Sequence, residues 1–268
     1  MTTKTKKDKY VLITGATSGI GLELAKLFAK DGYNQIIVAR NPSELQGTSD
    51  ELTNYGIKVI TISKDLFEQT AAQEVYDEVK SRGIEIDILV NNAGHGHYGE
   101  FVHTALEMEL NIIQLNIVSL VTLTKLFLKD MVERGEGKIL NTSSVASKSP
   151  GPWQSVYHAT KAFVQSFTEA VRAEVKDKGV SITALLPGAT DTDFFNKANM
   201  LDSKIVQDKS KLADPADVAK DGYEALLKGK DMIISGLKNK IDVAMSNIIP
   251  DDLAAKNTGN KQEPVDHN

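Results

Sequence analysis

The residues best suited to do chemistry sit in one short run. Tyr157-His158-Ala159-Thr160-Lys161 places a phenol and an ammonium four positions apart, and on a helix residues i and i+4 share a face. A cation held beside a phenol stabilises the phenolate and draws its pKa down from about 10 towards the working range. Tyr157 can then protonate an alkoxide, or accept the proton in the reverse direction. Ser144, thirteen positions upstream, offers a hydroxyl to a reacting carbonyl oxygen. Spacing alone decides little, because Ser63, Tyr76 and Lys80 repeat the same pattern.

A second constellation could hold phosphate. Thr14-Gly15-Ala16-Thr17-Ser18-Gly19-Ile20-Gly21 joins an apolar run to a helical pattern. Gly15 permits the tight turn, Gly19 lets backbone N–H groups approach a pyrophosphate, and Gly21 lets the helix pack closely on the sheet. The helix N-terminus adds positive dipole. Thr17, Ser18, Gly19 and Ile20 are therefore expected against a nucleotide, although the spacing is G-x-x-x-G-x-G and not G-x-G-x-x-G. An NAD site places an acid about 20 residues beyond the loop, on the ribose 2′-OH. Here the second strand ends Ile37-Val38-Ala39-Arg40, and the next acid is Glu44. Arg40 suits a 2′-phosphate through charge-assisted hydrogen bonds, so NADP(H) is expected in preference, with NAD(H) as the alternative.

These groups need a frame. Val-, Ile- and Leu-rich runs at Tyr10–Ile13, Gln35–Ala39, Lys58–Ile62, Ile86–Val90, Lys138–Asn141, Ser181–Leu185 and Met232–Ile234 read as strands covered on both faces. Helical patterns lie between them at Ile20–Lys30, Pro42–Asn54, Glu68–Ser81, Leu106–Val132, Ser155–Asp177 and Pro215–Leu227. Such alternation predicts an α/β fold with a parallel sheet and right-handed crossovers. In that order Ser144 follows the fifth strand and Tyr157 opens the next helix. Both then stand beside the carboxyl ends of the strands, where open α/β sheets bind ligands. Tyr76 lies mid-helix in a crossover, so Tyr76 and Lys80 read as a surface pair.

Composition narrows the field. The chain has 268 residues, 41% hydrophobic and 25% charged, which excludes wholesale disorder. Zero Cys excludes a disulfide framework, a Cys-based zinc site and a thiol nucleophile. A net charge of -5 disfavours nucleic acid. No apolar run approaches the roughly 20 residues that cross a bilayer, and MTTKTKKDKY has no signal-peptide apolar stretch. The expectation is a cytoplasmic protein with no membrane partner: a flexible tail over 1–9, one catalytic domain over 10–238, and a polar extension over 239–268, mobile from Asn257. His95, His97 and His103 near Glu100 read as loop or pocket histidines, with no metal. His95, Trp153 and Phe194 are candidate substrate contacts, and Phe195 is a further apolar wall; ordinary packing explains the aromatic residues equally well.

Taken together, Gly15/Gly19/Gly21, Asn91-Asn92-Ala93-Gly94, Asn116, Ser144, Tyr157/Lys161 and Pro187-Gly188 fall in the order of the short-chain dehydrogenase/reductase family, which the chain resembles from about Tyr10 to Met200. The resemblance implies a Rossmann-like doubly wound parallel sheet of about seven strands in three α/β/α layers. It implies that Asn116 holds a water in a proton relay and that Lys161 also binds the nicotinamide ribose. Asn92, Ala93 and Gly94 would meet the adenosine ribose, and Asp65-Leu66 the adenine. Pro187-Gly188 with Thr190 or Thr192 would line the carboxamide. Ser144 matches the family spacing to Tyr157, with Ser143 as the fallback. The decoy Tyr76 has Gln35 where Tyr157 has Asn116. The activity implied is hydride transfer between NADP(H) and a ketone, aldehyde or secondary alcohol. A non-catalytic NADP(H)-binding regulator and a dehydratase or epimerase are the alternatives. Relatives associate through the helices matching Leu106–Val132 and Ser155–Asp177, so a homodimer or homotetramer is expected. Phe163, Val164, Phe167 and Val171 form an apolar stripe there, which core burial also explains.

Overall fold

The computed structural model describes residues 5–246 and 250–265. Seven strands form one sheet: β1 (Tyr10–Thr14), β2 (Asn34–Ala39), β3 (Val59–Ser63), β4 (Ile88–Asn91), β5 (Gly137–Thr142), β6 (Val180–Leu186) and β7 (Met232–Ile234). Their order is β3-β2-β1-β4-β5-β6-β7, and every pairing is parallel. Helices α1 (Gly19–Lys30), α2 (Pro42–Thr53) and α3 (Ala71–Ser81) precede β4. Then come α4 (Leu106–Ile113), α5 (Leu120–Arg134), α6 (Ser155–Val175), the short α7 (Phe194–Lys197), α8 (Pro215–Leu227), α9 (Leu237–Ser246) and α10 (Asp251–Gln262). The strand order reverses between β1 and β4, which makes their carboxyl ends a topological switch point.

Side-chain alternation along the strands builds two cores. Val11 and Ile13 of β1 pack with Leu24 and Phe28 of α1 and Val218 and Leu226 of α8. Leu12 faces the other way, with Val75 and Val79 of α3, Phe127 and Met131 of α5, and Val175 of α6. The result is three layers.

The helix expected over Leu106–Val132 is continuous but not uniform. Gln114–Ser119, between α4 and α5, widens into π-helical turns. A π-turn slips the register of every later side chain, and such turns concentrate at functional sites. Here it carries Asn116 inward to 2% exposure. The Leu106–Arg134 helix also holds an 18-residue window long and apolar enough to cross a bilayer by length and composition, with a mean hydropathy of 1.5. That corrects the expectation that no such stretch exists. In this fold Ile112, Leu115, Leu123, Phe127 and Met131 put the hydropathy into the core.

Both tails carry secondary structure where they are described. Lys6–Asp8 forms a 3₁₀ turn, and the Asn34 amide donates to the Lys7 carbonyl at 2.7 Å. Residues 5–8 stay exposed but are tied by hydrogen bonds to the chain around the start of β2; residues 1–4 lie outside the described residues. At the other end, 251–262 are helical where a mobile polar tail was expected from Asn257. Polar contacts hold this helix down. The Gln262 carbonyl accepts from the Tyr98 hydroxyl and, at 3.1 Å, from Ser203, while Lys204 pairs with Glu263 at 2.9 Å. Apolar periodicity carries no trace of such an anchor. Residues 266–268 lie outside the described residues.

Candidate active site

A cleft of about 1530 Å³ runs along the carboxyl edge of the sheet. This exceeds the roughly 300–1,000 Å³ of a single small-ligand pocket, so it has room for a dinucleotide and a second molecule. The glycine loop closes one side. Gly15, Thr17, Ser18, Gly19 and Ile20 line it, with Arg40, Asp65, Leu66, Asn92, Ala93 and Gly94 beyond them. One side chain fixes this corner. Thr14 Oγ1 accepts the N–H groups of both Asn92 and Ala93 at 3.0 Å, while the Asn92 amide donates back to the Gly15 carbonyl at 3.2 Å.

The loop is a cradle that extra atoms would fill. Gly19 has φ +54, and a Cβ there would lie 2.9 Å from Thr192 Cγ2. Gly21 is a different case, because it does not line the cleft. A Cβ on it would meet the Gly15 carbonyl oxygen at 2.0 Å and the Asn92 amide nitrogen at 2.4 Å. Its part is to let α1 start against the sheet, which corrects its expected place among the cofactor contacts. The donor set and the bare backbone suit a nicotinamide dinucleotide. The α1 N-terminus and Ser18 N–H side would take the pyrophosphate, and Arg40 would take the adenosine end. Arg40 is poised there by Asp65 at 3.9 Å and by the Phe67 ring, whose centroid is 5.2 Å from the guanidinium carbon.

The opposite wall brings the expected acid–base set together. Tyr157, Lys161 and Ser144 all line the cleft, as do Pro187, Gly188, Thr190 and Thr192. The adjacent serines separate cleanly. Ser143 Oγ donates to the Lys161 carbonyl at 2.8 Å and serves the backbone of α6. Ser144 caps the following turn, accepting from Ala146 N–H at 3.1 Å and donating to the Pro187 carbonyl at 3.4 Å, and it stands close enough to Tyr157 to lower the phenol's pKa. The Thr190 hydroxyl is spent on the Gly188 carbonyl at 2.9 Å, while Thr192 faces Gly19 across the cleft. Asn116 lies one layer behind and does not line the cleft. Its Oδ1 accepts from His95 N–H at 3.0 Å, and its amide donates to the His95 carbonyl at 2.9 Å and to Thr160 at 3.0 Å.

The charges differ from expectation. Lys161 Nζ donates to the Thr142 carbonyl at 2.9 Å and stands 5.8 Å from the Tyr157 ring centroid. Burial pushes the Tyr157 phenol up to about 12, with Ser144 only partly opposing it. Burial also brings the Lys161 ammonium down to about 8. The anticipated acidification of the phenol by its neighbour is not seen: burial dominates, and only Ser144 opposes it.

The aromatic candidates divide. The Phe194 ring faces Tyr157 at 5.3 Å, and Phe194 lines the cleft. Phe195 and His95 also line it, the His95 ring standing edge-on to Phe67 at 5.7 Å. Trp153 is not among the cleft residues; it stacks on Tyr98 at 5.9 Å, which corrects its expected place against substrate. The Tyr76/Lys80 pair faces away, with both side chains on Asp130. Among the described residues no His, Asp or Glu cluster could hold a metal. Gln154, His158 and Gln262 escaped sequence reasoning. His158 and Gln262 touch across 104 positions, and no local spacing announces that.

The family model for short chain dehydrogenases matches residues 9–202. The chain belongs to the short-chain dehydrogenase/reductase family. It is an oxidoreductase of the type that acts on CH–OH and C=O groups. It is 34% identical over 248 residues to dehydrogenase/reductase SDR family member 7B of Danio rerio, covering 86% of this chain and 78% of that one. It is 34% identical over 186 residues to very-long-chain 3-oxoacyl-CoA reductase of Homo sapiens, covering 67% of this chain and 58% of that one. Among solved structures, a short-chain dehydrogenase from Sphingobium yanoikuyae in complex with NADPH superposes with a TM-score of 0.79 at 28% identity, over 90% of this chain and 94% of that one. A 7beta-hydroxysteroid dehydrogenase gives 0.83 at 25% identity, over 94% and 97%.

Within this short-chain dehydrogenase/reductase, Gly21→Ala tests the loop. The clash with Gly15 should cost about 1–3 kcal/mol of stability and weaken nicotinamide dinucleotide binding at least tenfold. Denaturant midpoints and calorimetric titration check both.

Proposed function

We propose that the protein is an NADP(H)-dependent carbonyl reductase, running as an alcohol dehydrogenase in reverse, with Ser144, Tyr157 and Lys161 as its catalytic residues. One observation carries this reading: Ser144, Tyr157 and Lys161 stand together on the cleft wall that faces the glycine loop, with Ser144 near enough to the phenol to oppose the rise in its pKa. Pure cofactor binding has no use for that set. The NADPH complex of one structural neighbour and the reductase names of relatives support the same direction.

The bound cofactor supplies or accepts the hydride at the carbonyl carbon. The rest is work for this chain. Ser144 Oγ holds the carbonyl oxygen by a hydrogen bond, and Tyr157 delivers its proton to that oxygen as the carbon is reduced. With a pKa near 12 the phenol is protonated at neutral pH, so it is loaded with the proton that reduction requires. Lys161 holds the Thr142 carbonyl and keeps positive charge at the base of the pocket below pH 8. Asn116 is a positioning residue: its two bonds to His95 fix the turn that runs beside Tyr157 at Gly96.

Tyr157→Phe removes the proton donor and should lower ketone-reduction kcat about 10²–10⁴-fold, with NADPH affinity preserved. In the wild type, reduction should be flat on the acid side and decline above about pH 8, as Lys161 loses its charge. A profile that first falls near pH 12 would remove Lys161 from the charge balance.

NADP(H) preference rests on Arg40, which stands just past the end of β2, where an NAD site places an acid; its Asp65 contact is long, at 3.9 Å. Arg40→Ala should weaken NADPH binding about tenfold, the weight of one exposed charge-assisted contact, and leave NADH unchanged. Equal losses for both cofactors would remove the preference.

Homo-oligomer formation through α4 and α6 is part of the same reading. Val164 is buried against the sheet, whereas Phe163 is 42% exposed and stacks outward on Phe167. Leu106 and Leu110 are exposed on α4, and an apolar face of this kind marks an interaction surface. Sedimentation at micromolar concentration should give a dimer or tetramer, and Phe163→Lys should shift it to monomer.

A further inference from the structure

One buried donor in the cleft is left without a partner by a chain of hydrogen bonds whose sense is set at its far end. His158 is 5% exposed, and its Nδ1 lies 2.8 Å from the Ser149 carbonyl oxygen. A carbonyl only accepts, so the ring proton is on Nδ1. Burial lowers the His158 pKa, so the ring is neutral at pH 7 and Nε2 is a bare acceptor. The Gln262 amide nitrogen donates to that Nε2 at 3.1 Å and to Gln154 Oε1 at 3.3 Å. Reversing Gln262 would set two acceptors face to face; reversing Gln154 would oppose two donors. Gln154 must therefore turn its own amide nitrogen away from the network.

That nitrogen, Gln154 Nε2, is buried without a hydrogen-bond partner among the described residues, on a side chain 5% exposed. Gln154 lines the cleft. A Cβ on Gly96 would sit 3.4 Å from both Gln154 Nε2 and Tyr157 Cδ2, and 2.8 Å from Phe194 Cζ. The donor, the edge of the Tyr157 ring and the tip of Phe194 thus all border Gly96. A buried donor left unmade is costly, and in a cleft it points to a ligand that completes it.

We propose that Gln154 positions the substrate by donating from Nε2 to a second oxygen, carried near the reacting carbonyl as in a 3-oxo ester, and that α10 orients this donor through Gln262 and His158. The inference rests on the carbonyl-reductase reading of the cleft. A monoketone offers this nitrogen nothing. The Phe194 ring must tilt off Gly96 for the second oxygen to reach it, and the short α7 that carries Phe194 is the element that has to give.

The test compares a 3-oxo ester with a monoketone of equal length, reduced with NADPH by wild type, Gln154→Leu and Gln262→Leu. Calorimetric binding of the matching 3-hydroxy ester and plain alcohol measures the same preference without turnover. Gln154→Leu should raise KM for the 3-oxo ester about tenfold, the weight of one hydrogen bond, and leave the monoketone within twofold. Gln262→Leu keeps Gln154 in place and should raise the same KM about threefold; it also reads the preference if Gln154→Leu does not fold. Equal losses for both ligands, or none for either, overturn the positioning role, and an unchanged Gln262→Leu overturns the part given to α10. If wild type reduces neither ketone yet binds the hydroxy ester preferentially, and Gln154→Leu abolishes that preference, the reductase reading fails while the positioning role stands.

Discussion

At the carboxyl ends of β1 and β4 the chain leaves the sheet in opposite directions, and one hydroxyl keeps the parting in register. Thr14 Oγ1 takes the N–H groups of Asn92 and Ala93, which are backbone donors that the strand ladder no longer serves. Gly15 and Gly21 fit closely against the same turn because neither has a Cβ. The start of α1, the bare phosphate-facing backbone and the position of Gly94 beside Lys161 all follow from that knot. If it loosened, the two walls of the cleft would have no fixed separation.

Across the cleft, the controlling quantity is the removal of water. Tyr157 and Lys161 are brought into one pocket, and burial moves their proton affinities in opposite directions, the phenol to about 12 and the amine to about 8. Each shift favours the neutral form, as desolvation must. The pocket is therefore arranged to hold a proton on the tyrosine. A short α7 and two C-terminal helices complete the enclosure, with Phe194, Val243 and Ala254 on its apolar side.

The polar anchoring of α10 is of the same kind as the Thr14 knot. Gln262 is 5% exposed and bonds Tyr98, Ser203, His158 and one atom of Gln154 from a helix that buries little apolar surface, while its own Oε1 has no partner among the described residues. Buried polar networks specify one arrangement among many, because every wrong pairing leaves a donor or acceptor unmade. This ties the end of the chain to the helix that carries Tyr157.

All seven strands, the sense of the sheet and the choice of Tyr157 over Tyr76 were legible in the sequence, because apolar periodicity and the strand-to-helix position of the glycine loop are local properties. So was the choice of Ser144, although only the structure shows Ser143 spent on the Lys161 carbonyl. Three things were decided by tertiary structure alone. The π-turn that carries Asn116 inward sits where the Leu106–Arg134 helix passes α6. The proton affinities of Tyr157 and Lys161 depend on burial, and an i, i+4 spacing is silent about water. The seating of Gln262 joins residues far apart in the chain through side chains of no periodic pattern, where spacing has nothing to report.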